Sequence, residues 1–569
     1  METKVLNEIN AWKSQVNLTK DLRDEINSLS TDELYDAFYK ELTFGTGGLR
    51  GVIGAGINRM NIYTVGKATK GFANYLLEKY PDAKKQGVVI SYDCRNHSRE
   101  FGEVAASILA AMGIKTYLFS NMRPTPELSY AVRYLKCIAG IMITASHNPP
   151  AYNGYKVYDH NGCQLTINAA NQVISEIDKI TNIFNIEKIN FIDGIKSGII
   201  EEIDLEIDES YLNEVKKIVV NQLDDITKNN LKVIFTPLHG TASTILPSFL
   251  KKEGYNVVTV DEQMIADPNF STLESPNPEN ASAFEYAIRL GKKQNADILL
   301  ATDPDADRMG VAVRNVNGEY DLLTGNQTGA IILDYLGKFK KVTKKGIVLN
   351  TIVTSNAAYD LCKKYGFSLI QTLTGFKFIG EQMELIKNSS DEEFVLGYEE
   401  SYGYVLKDIV RDKDSVQACF MLCEIAAYYK THNKTLTDVL HDIYSEIGYY
   451  KEEVYNINLL GEVGAKRIEE MVRLFQNNHY QMIANKKIKA IEDYDKSIRY
   501  VDGREEEISL PKSLVIKYIF EDGGWFVLRP SGTEPKLKIY VSVKDMVEES
   551  AAMFARNVKG DILQILKIN

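Results

Sequence analysis

From about residue 85 to residue 430 the chain repeats one rhythm, a short apolar run followed by a helix-length amphipathic stretch. No other feature restricts its fold as much. Val88-Val89-Ile90 reads as a buried strand, and Phe101, Val104, Ala105, Ile108, Leu109 and Met112 then recur at helical spacing until Gly113 stops them. The run Ile138–Ile143 is apolar enough for a strand covered on both faces. The pattern returns at Val233-Ile234-Phe235, Ile298-Leu299-Leu300, Ile347-Val348-Leu349 and Phe394-Val395-Leu396. Strands spaced by helices predict parallel α/β layers. The end of the chain differs: Trp525–Leu528 and Leu537–Val541 read as two strands joined by a polar loop, with a helix from about Val547. At roughly 150 residues per domain, 569 residues predict three or four domains, with candidate boundaries that give 1–205, 206–322, 323–452 and 453–569.

Charge and cysteine usage exclude several function classes. The net charge is −11 with no Lys/Arg block, which argues against a nucleic-acid or anionic-membrane surface. No apolar run approaches the ~20 residues that span a bilayer, and the charged start Met1–Glu8 lacks the apolar core of a signal peptide. None of the six cysteines forms a CxxC pair, so buried thiols in a reducing compartment are expected. These features together predict a cytoplasmic protein.

Four polar loops follow predicted strands, where α/β folds place ligands. The first, Thr144-Ala145-Ser146-His147-Asn148-Pro149-Pro150, leads to Lys156 and offers a nucleophile with proton-handling neighbours; it also reads as a plain stiffened turn. Its flanks do not match a GxSxG elbow. The second, Asp303-Pro304-Asp305-Ala306-Asp307-Arg308, crowds three carboxylates that would repel one another unless a cation sits among them. Arg308 and Arg314 occupy the Gly and Glu positions of a calcium EF-hand loop, so few hard oxygen ligands point instead to Mg²⁺. The third, Gly397-Tyr398-Glu399-Glu400-Ser401-Tyr402-Gly403, suits sugar hydroxyls or a charged helix entry; the nearby Arg411-Asp412-Lys413-Asp414 reads as a solvated turn. The fourth, Arg529-Pro530-Ser531-Gly532-Thr533-Glu534-Pro535-Lys536, combines a forked donor, two hydroxyls and a glycine, a set fit for a phosphate dianion or an unliganded hairpin. Phe44–Gly51, with Arg50, and Thr374-Gly375-Phe376-Lys377 are smaller signals of the same kind.

Taken together, TASHNP, DPDADR, GYEESYG and RPSGTEPKLKIY resemble, in order, the phosphoserine, metal, sugar and phosphate loops of the α-D-phosphohexomutase family. The resemblance spans residues 44 to 540 and is nearest the branch of bacterial phosphoglucomutases and related phosphopentomutases. It implies three similar mixed α/β domains and a smaller C-terminal α+β domain around a central cleft. It implies an intramolecular phosphotransferase that interconverts glucose 1-phosphate and glucose 6-phosphate through phosphorylated Ser146 and a sugar 1,6-bisphosphate. In that reading Asp303, Asp305 and Asp307 hold Mg²⁺ together with Ser146, and Arg50 and Arg308 face the phosphoryl group. His147 and Lys156 belong to the catalytic loop region, Lys156 and Lys377 are the candidates for moving the substrate hydroxyl proton, and Glu399 and Ser401 bind sugar hydroxyls. Thr374, Gly375, Arg529, Ser531, Gly532 and Thr533 hold the rest of the substrate. A pentose or mannose phosphate, or a sugar-bisphosphate synthase activity, stays open at this stage, as does monomer against homodimer.

Overall fold

The structure is a computed structural model that describes residues 2–45, 47–459, 461–530 and 536–568. The chain divides into two compact units, the first comprising 1–325 and 376–435 and the second 326–375 and 436–569.

The first unit begins with helix α1 (Thr3–Ser14), whose Trp12 is fully buried and meets Phe38, Tyr63 and Phe184 at centroid distances of 5.2 to 5.7 Å. Strand β1 (Leu49–Val52) follows, then α2 (Ile62–Lys79), started by Asn61, whose side chain accepts the N–H groups of Tyr63 and Thr64. Next come β2 (Val88–Tyr92), α3 (Ser98–Ala111), β3 (Thr116–Phe119), α4 (Thr125–Tyr134), β4 (Ala139–Ile143), β5 (Tyr152–Asp159) and β6 (Ile200–Ile203). The six strands form one sheet in the order β1-β5-β4-β2-β3-β6. Four of them, β4-β2-β3-β6, are parallel, as the strand-and-helix rhythm predicts. Strand β5 runs antiparallel to β4, because residues 144–151 between them are too few for a crossover helix. That tight return carries Ser146.

The same device recurs in the second sheet of this unit. It holds β7 (Lys232–Thr236), β8 (Asn256–Thr259), β9 (Ile298–Thr302), β10 (Met309–Arg314) and β11 (Tyr320–Leu322) in the order β11-β10-β9-β7-β8. β7 pairs in parallel with β8 and β9, while β10 returns antiparallel to β9 across the turn that carries the three aspartates.

In the second unit β12 (Lys345–Thr351) and β13 (Ser368–Thr372) pair in parallel. The chain then rejoins the first unit with α5 (Phe376–Lys387), the antiparallel pair β14 (Glu392–Glu399) and β15 (Gly403–Val405), and α6 (Ser415–Lys430). Helix α6 is apolar nearly all round and buried along most of its length, the pattern of a core helix rather than a surface one. Its burial draws the preceding residues 411–414 inside with it.

The C-terminal part of the second unit is an antiparallel sheet. Its long pair is β16 (Tyr449–Asn458) with the strand Lys536–Asp545, which also pairs with Trp525–Pro530. The helix Glu548–Leu566 lays Phe554, Ala555, Val558 and Ile562 on the core of that sheet. The α/β class and the α+β end both follow the sequence reading. All six cysteines are free thiols, five of them buried. No helix among the described residues is long and apolar enough to cross a membrane.

Candidate active site

All five residues of β4 are buried, so the strand delivers residue 144 and its successors to the end of the sheet with little freedom. Ser146 there has φ of +51°, a left-handed conformation uncommon outside glycine. Its N–H donates to the Thr144 hydroxyl at 2.8 Å. Its own hydroxyl donates to Asp303 Oδ2 at 2.7 Å and lies 3.2 Å from His147 Nδ1. Burial, with the cations Arg308 and Arg50 nearby, holds the His147 imidazole well below its usual range, so it is neutral and a weak base. Arg50 reaches the same loop, donating to Asn148 Oδ1 at 3.1 Å.

The three aspartates are wrapped by a turn rather than a helix. Ala306 takes φ of +54°, and Asp303 Oδ1 accepts the N–H groups of Asp307 and Arg308 at 3.0 and 2.9 Å. All three carboxylates are buried, and one oxygen from each lies within 4.8 Å of the others. Lys156 Nζ is 2.6 Å from Asp305 Oδ2 and 3.4 Å from Asp307 Oδ2. Asp305 Oδ1 and Asp307 Oδ1 are buried with no hydrogen-bond partner among the described residues. Burial and the charges of Asp307 and Asp305 push Asp303 far above the ordinary carboxylate range. For Asp307 burial works the same way but is outweighed by Lys413, Lys156 and Arg308, and it stays ionised. Orphaned oxygens and mutual repulsion in a dry site are what a divalent cation would relieve, so this donor set fits Mg²⁺.

Lys413 escaped the sequence reading. Its segment reads as a solvated turn, yet Arg411, Asp412, Lys413 and Asp414 are all buried. Lys413 Nζ lies 3.1 Å from Asp307 Oδ2 and 3.0 Å from Asp412 Oδ1. Asp414 accepts the Gln417 N–H at 3.0 Å and starts α6. A signal available was adjacency to that largely apolar helix, because a buried helix entry cannot leave its charges in water.

Residues 399–403 close the same region of the first unit. Met309 N–H donates to Tyr402 O at 3.0 Å, and Arg308 bridges to Gly403, so the aspartate turn and residues 402–403 share backbone contacts. Glu399 is buried at the end of β14, within electrostatic reach of Arg308 and Lys413. Ser401 is half-buried in the following turn. Arg308 is also ion-paired with Glu279.

The two lysines considered for proton transfer differ. Burial lowers the affinity of Lys156 for its proton, but Asp305 and Asp307 more than reverse this, leaving it raised and charged, the opposite of what base work needs. Lys377, at the start of α5, is lowered by burial. No hydrogen bond or ion pair among the described residues joins it to Ser146 or the aspartates. In the second unit Thr374 and Gly375 follow β13, with Gly375 at φ of +114°, and Arg529 is half-buried on Trp525–Pro530, opposite Lys538. Ser531, Gly532 and Thr533 lie outside the described residues.

Comparison with known proteins decides the ancestry. Profiles for phosphoglucomutase/phosphomannomutase alpha/beta/alpha domains I, II and III match residues 41–184, 209–318 and 324–447, and the profile for the C-terminal domain matches 481–557. The chain belongs to the phosphoglucomutase/phosphomannomutase family. Its activity class is therefore that of a phosphohexomutase, an isomerase. It is 38% identical over 543 residues to a phosphoglucomutase of Staphylococcus haemolyticus, covering 94% of this chain and 96% of the relative. A phosphoglucomutase of Staphylococcus aureus is 38% identical over 515 residues, covering 90% and 91%. Among solved structures, the fold is similar to the open form of the Paramecium phosphoprotein parafusin, a phosphoglucomutase, with TM-score 0.71 at 19% identity over 93% of this chain and 95% of that one. It is also similar to a phosphoglucomutase/phosphomannomutase family protein of Burkholderia thailandensis, with TM-score 0.65 at 17% identity over 92% and 97%.

Proposed function

We propose that this phosphohexomutase interconverts α-D-glucose 1-phosphate and glucose 6-phosphate, with Ser146 as the phosphoryl carrier and glucose 1,6-bisphosphate as the intermediate. The observation that carries the reading is the 2.7 Å contact between the Ser146 hydroxyl and Asp303. Two segments 157 positions apart in sequence meet there, a nucleophile against a cluster built for a cation. The choice of glucose rests on the phosphoglucomutase relatives at 38% identity.

In the first half-reaction the P–Oγ bond of phosphoserine 146 breaks and a P–O bond to the free sugar hydroxyl forms. The electron pair of the broken bond stays on Oγ, and the hydroxyl proton goes to a base. Between the two lysines our choice of base is Lys377, whose burial favours the neutral amine. The second half reverses these steps with the other phosphate of the bisphosphate. Arg50, Arg308, Lys156 and Lys413 offset the negative charge that moves across the site, and His147 Nδ1 stands 3.2 Å from the Ser146 oxygen. Mg²⁺ bound by Asp303, Asp305 and Asp307, with an oxygen of phosphorylated Ser146, would draw charge from the transferring group. Glu399 and Ser401 are assigned to the sugar hydroxyls. Arg529, Ser531, Gly532 and Thr533, with Thr374 and Gly375, are assigned to the substrate's other end. We divide the chain for this purpose at 1–205, 206–322, 323–452 and 453–569, and take it to act in the cytoplasm as a monomer or homodimer.

The test is a substrate panel with Mg²⁺ and catalytic glucose 1,6-bisphosphate. Glucose 1-phosphate should turn over faster than mannose 1-phosphate or ribose 1-phosphate, and a ribose preference would overturn the choice of sugar. Release of inorganic phosphate, or net formation of bisphosphate, would overturn the mutase reading. Ser146→Ala should abolish isomerisation while substrate binding survives.

A further inference from the structure

One guanidinium holds the serine loop, and it belongs to none of the arginines assigned to the site above. Arg95 lies just beyond β2 and is 3% exposed. Its Nη2 donates to the carbonyls of Ser146 at 2.6 Å and Asn148 at 2.5 Å. Its Nη1 donates to the carbonyls of Pro149 at 2.8 Å and Tyr152 at 3.0 Å. Its Nε faces Asp93 Oδ2 at 3.3 Å. Four backbone oxygens of the β4–β5 return thus converge on one side chain.

Asp93 completes the clamp. Its Oδ2 accepts the Thr144 hydroxyl at 2.6 Å, and the Thr144 oxygen in turn accepts the Ser146 N–H at 2.8 Å. Its Oδ1 accepts the Arg95 N–H at 3.0 Å and the Ser98 hydroxyl at 2.7 Å. The N–H of residue 146 is therefore fixed through Thr144, and its C=O through Arg95, by the two halves of one buried ion pair. Between those fixed ends Ser146 adopts the left-handed φ of +51°. A non-glycine residue held there is strained and persists only when its surroundings over-determine it. The guanidinium face also rests 5.0 Å from the ring of Phe270, a residue of the segment between β8 and β9 that precedes the aspartate turn.

Taking Ser146 as the phosphoryl carrier, we propose that Arg95, braced by Asp93, is a positioning residue that holds Ser146 in its strained conformation and so aims its hydroxyl at Asp303. Only arginine has a planar fork that gives four N–H donors to two pairs of carbonyls while its Nε faces a carboxylate; the three donors of lysine on a single nitrogen cannot reach them all. A group that sets geometry without touching substrate should govern turnover and leave affinity alone.

The experiment compares Arg95→Lys, Arg95→Gly, Ser146→Ala and the surface control Arg99→Lys. Activity is followed by steady-state kinetics and phosphoryl uptake from glucose 1,6-bisphosphate by intact-protein mass. Arg95→Lys should lose about 100-fold in kcat, the scale of an ångström-sized misplacement, with KM within about threefold. Arg95→Gly should recover at least about tenfold on adding millimolar methylguanidinium, which restores the fork. Arg99→Lys should match the wild type. Arg95→Lys with wild-type kcat overturns the proposal. So does an Arg95→Gly enzyme, folded by circular dichroism, that methylguanidinium leaves unchanged. If Ser146→Ala still takes up phosphate and turns over, the carrier assignment falls instead. If Ser146→Ala is inert while Arg95→Lys is fully active, the positioning role alone falls.

Discussion

Replacing Lys517 by methionine should remove a pH dependence from the stability of the second unit. Lys517 lies on the strand Ile516–Phe520, is 3% exposed, donates to the Ile352 carbonyl at 2.8 Å and sits 4.7 Å from the Trp525 ring. Burial lowers its pKa from an ordinary 10.5 to about 8, with Glu492 opposing part of the fall. At roughly 1.4 kcal/mol per unit, such a fall is worth about 3 kcal/mol. The sign follows from proton counts. Between pH 8 and 10.5 the unfolded lysine still holds its proton and the folded one has lost it, so stability rises with pH across that window. Below pH 8 both states are charged and the full penalty of the buried ammonium applies. Raising the pH from 7 to 10 should therefore add roughly 2 to 3 kcal/mol in the wild type. Methionine leaves the Ile352 carbonyl without this donor, a loss of about 1 to 3 kcal/mol that does not depend on pH. The variant should thus differ in slope as well as level. The assay is urea unfolding followed by Trp525 fluorescence in a Trp12→Phe background, since the chain has only these two tryptophans. Groups that titrate in both proteins cancel in the difference. Equal gains between pH 7 and 10 in the two proteins would refute the reasoning.

Two further perturbations test the site. At Gly403 an added Cβ would meet Lys413 Cδ at 2.3 Å and Cγ at 2.7 Å, so Gly403→Ala should pull the Lys413 ammonium off Asp307 and lower kcat by up to about 100-fold. Steady-state kinetics beside a thermal melt check this, and unchanged kcat would mean that Lys413 does not need its present position. Stripping divalent ions with a chelator and adding back Mg²⁺ should raise the melting temperature, corresponding to about 2.7 kcal/mol at a hundredfold excess over Kd. Asp305→Asn should blunt that response, and an equal shift in both proteins would remove the aspartates as the binding site.

Much of the architecture is legible because its causes are local. Val88–Ile90 and Ile138–Ile143 announce themselves as β2 and β4, since burial on both faces leaves no polar position to alternate with. The antiparallel return of β5 is also local, as a short connection forbids a crossover. Ser146 and the three aspartates stand out for a similar reason: like charges and hydroxyls crowded into a few residues need a purpose whatever the fold. Lys413 and Arg95 carry no such mark. Their partners, Asp307 in one case and the carbonyls of 146, 148, 149 and 152 in the other, come from distant segments.

The residue order thus determined the family, the strand-and-helix rhythm and which hydroxyl and carboxylates the proposed chemistry uses. Tertiary structure decided which cations face them, that Lys156 is raised while Lys377 is lowered, and that Ser146 is held in a left-handed turn. The reason is electrostatic and steric at once. The strength of a charge pair depends on its separation and on how much water remains between the partners, and a strained backbone survives only where its neighbours fix both ends. Neither quantity exists until remote segments have met.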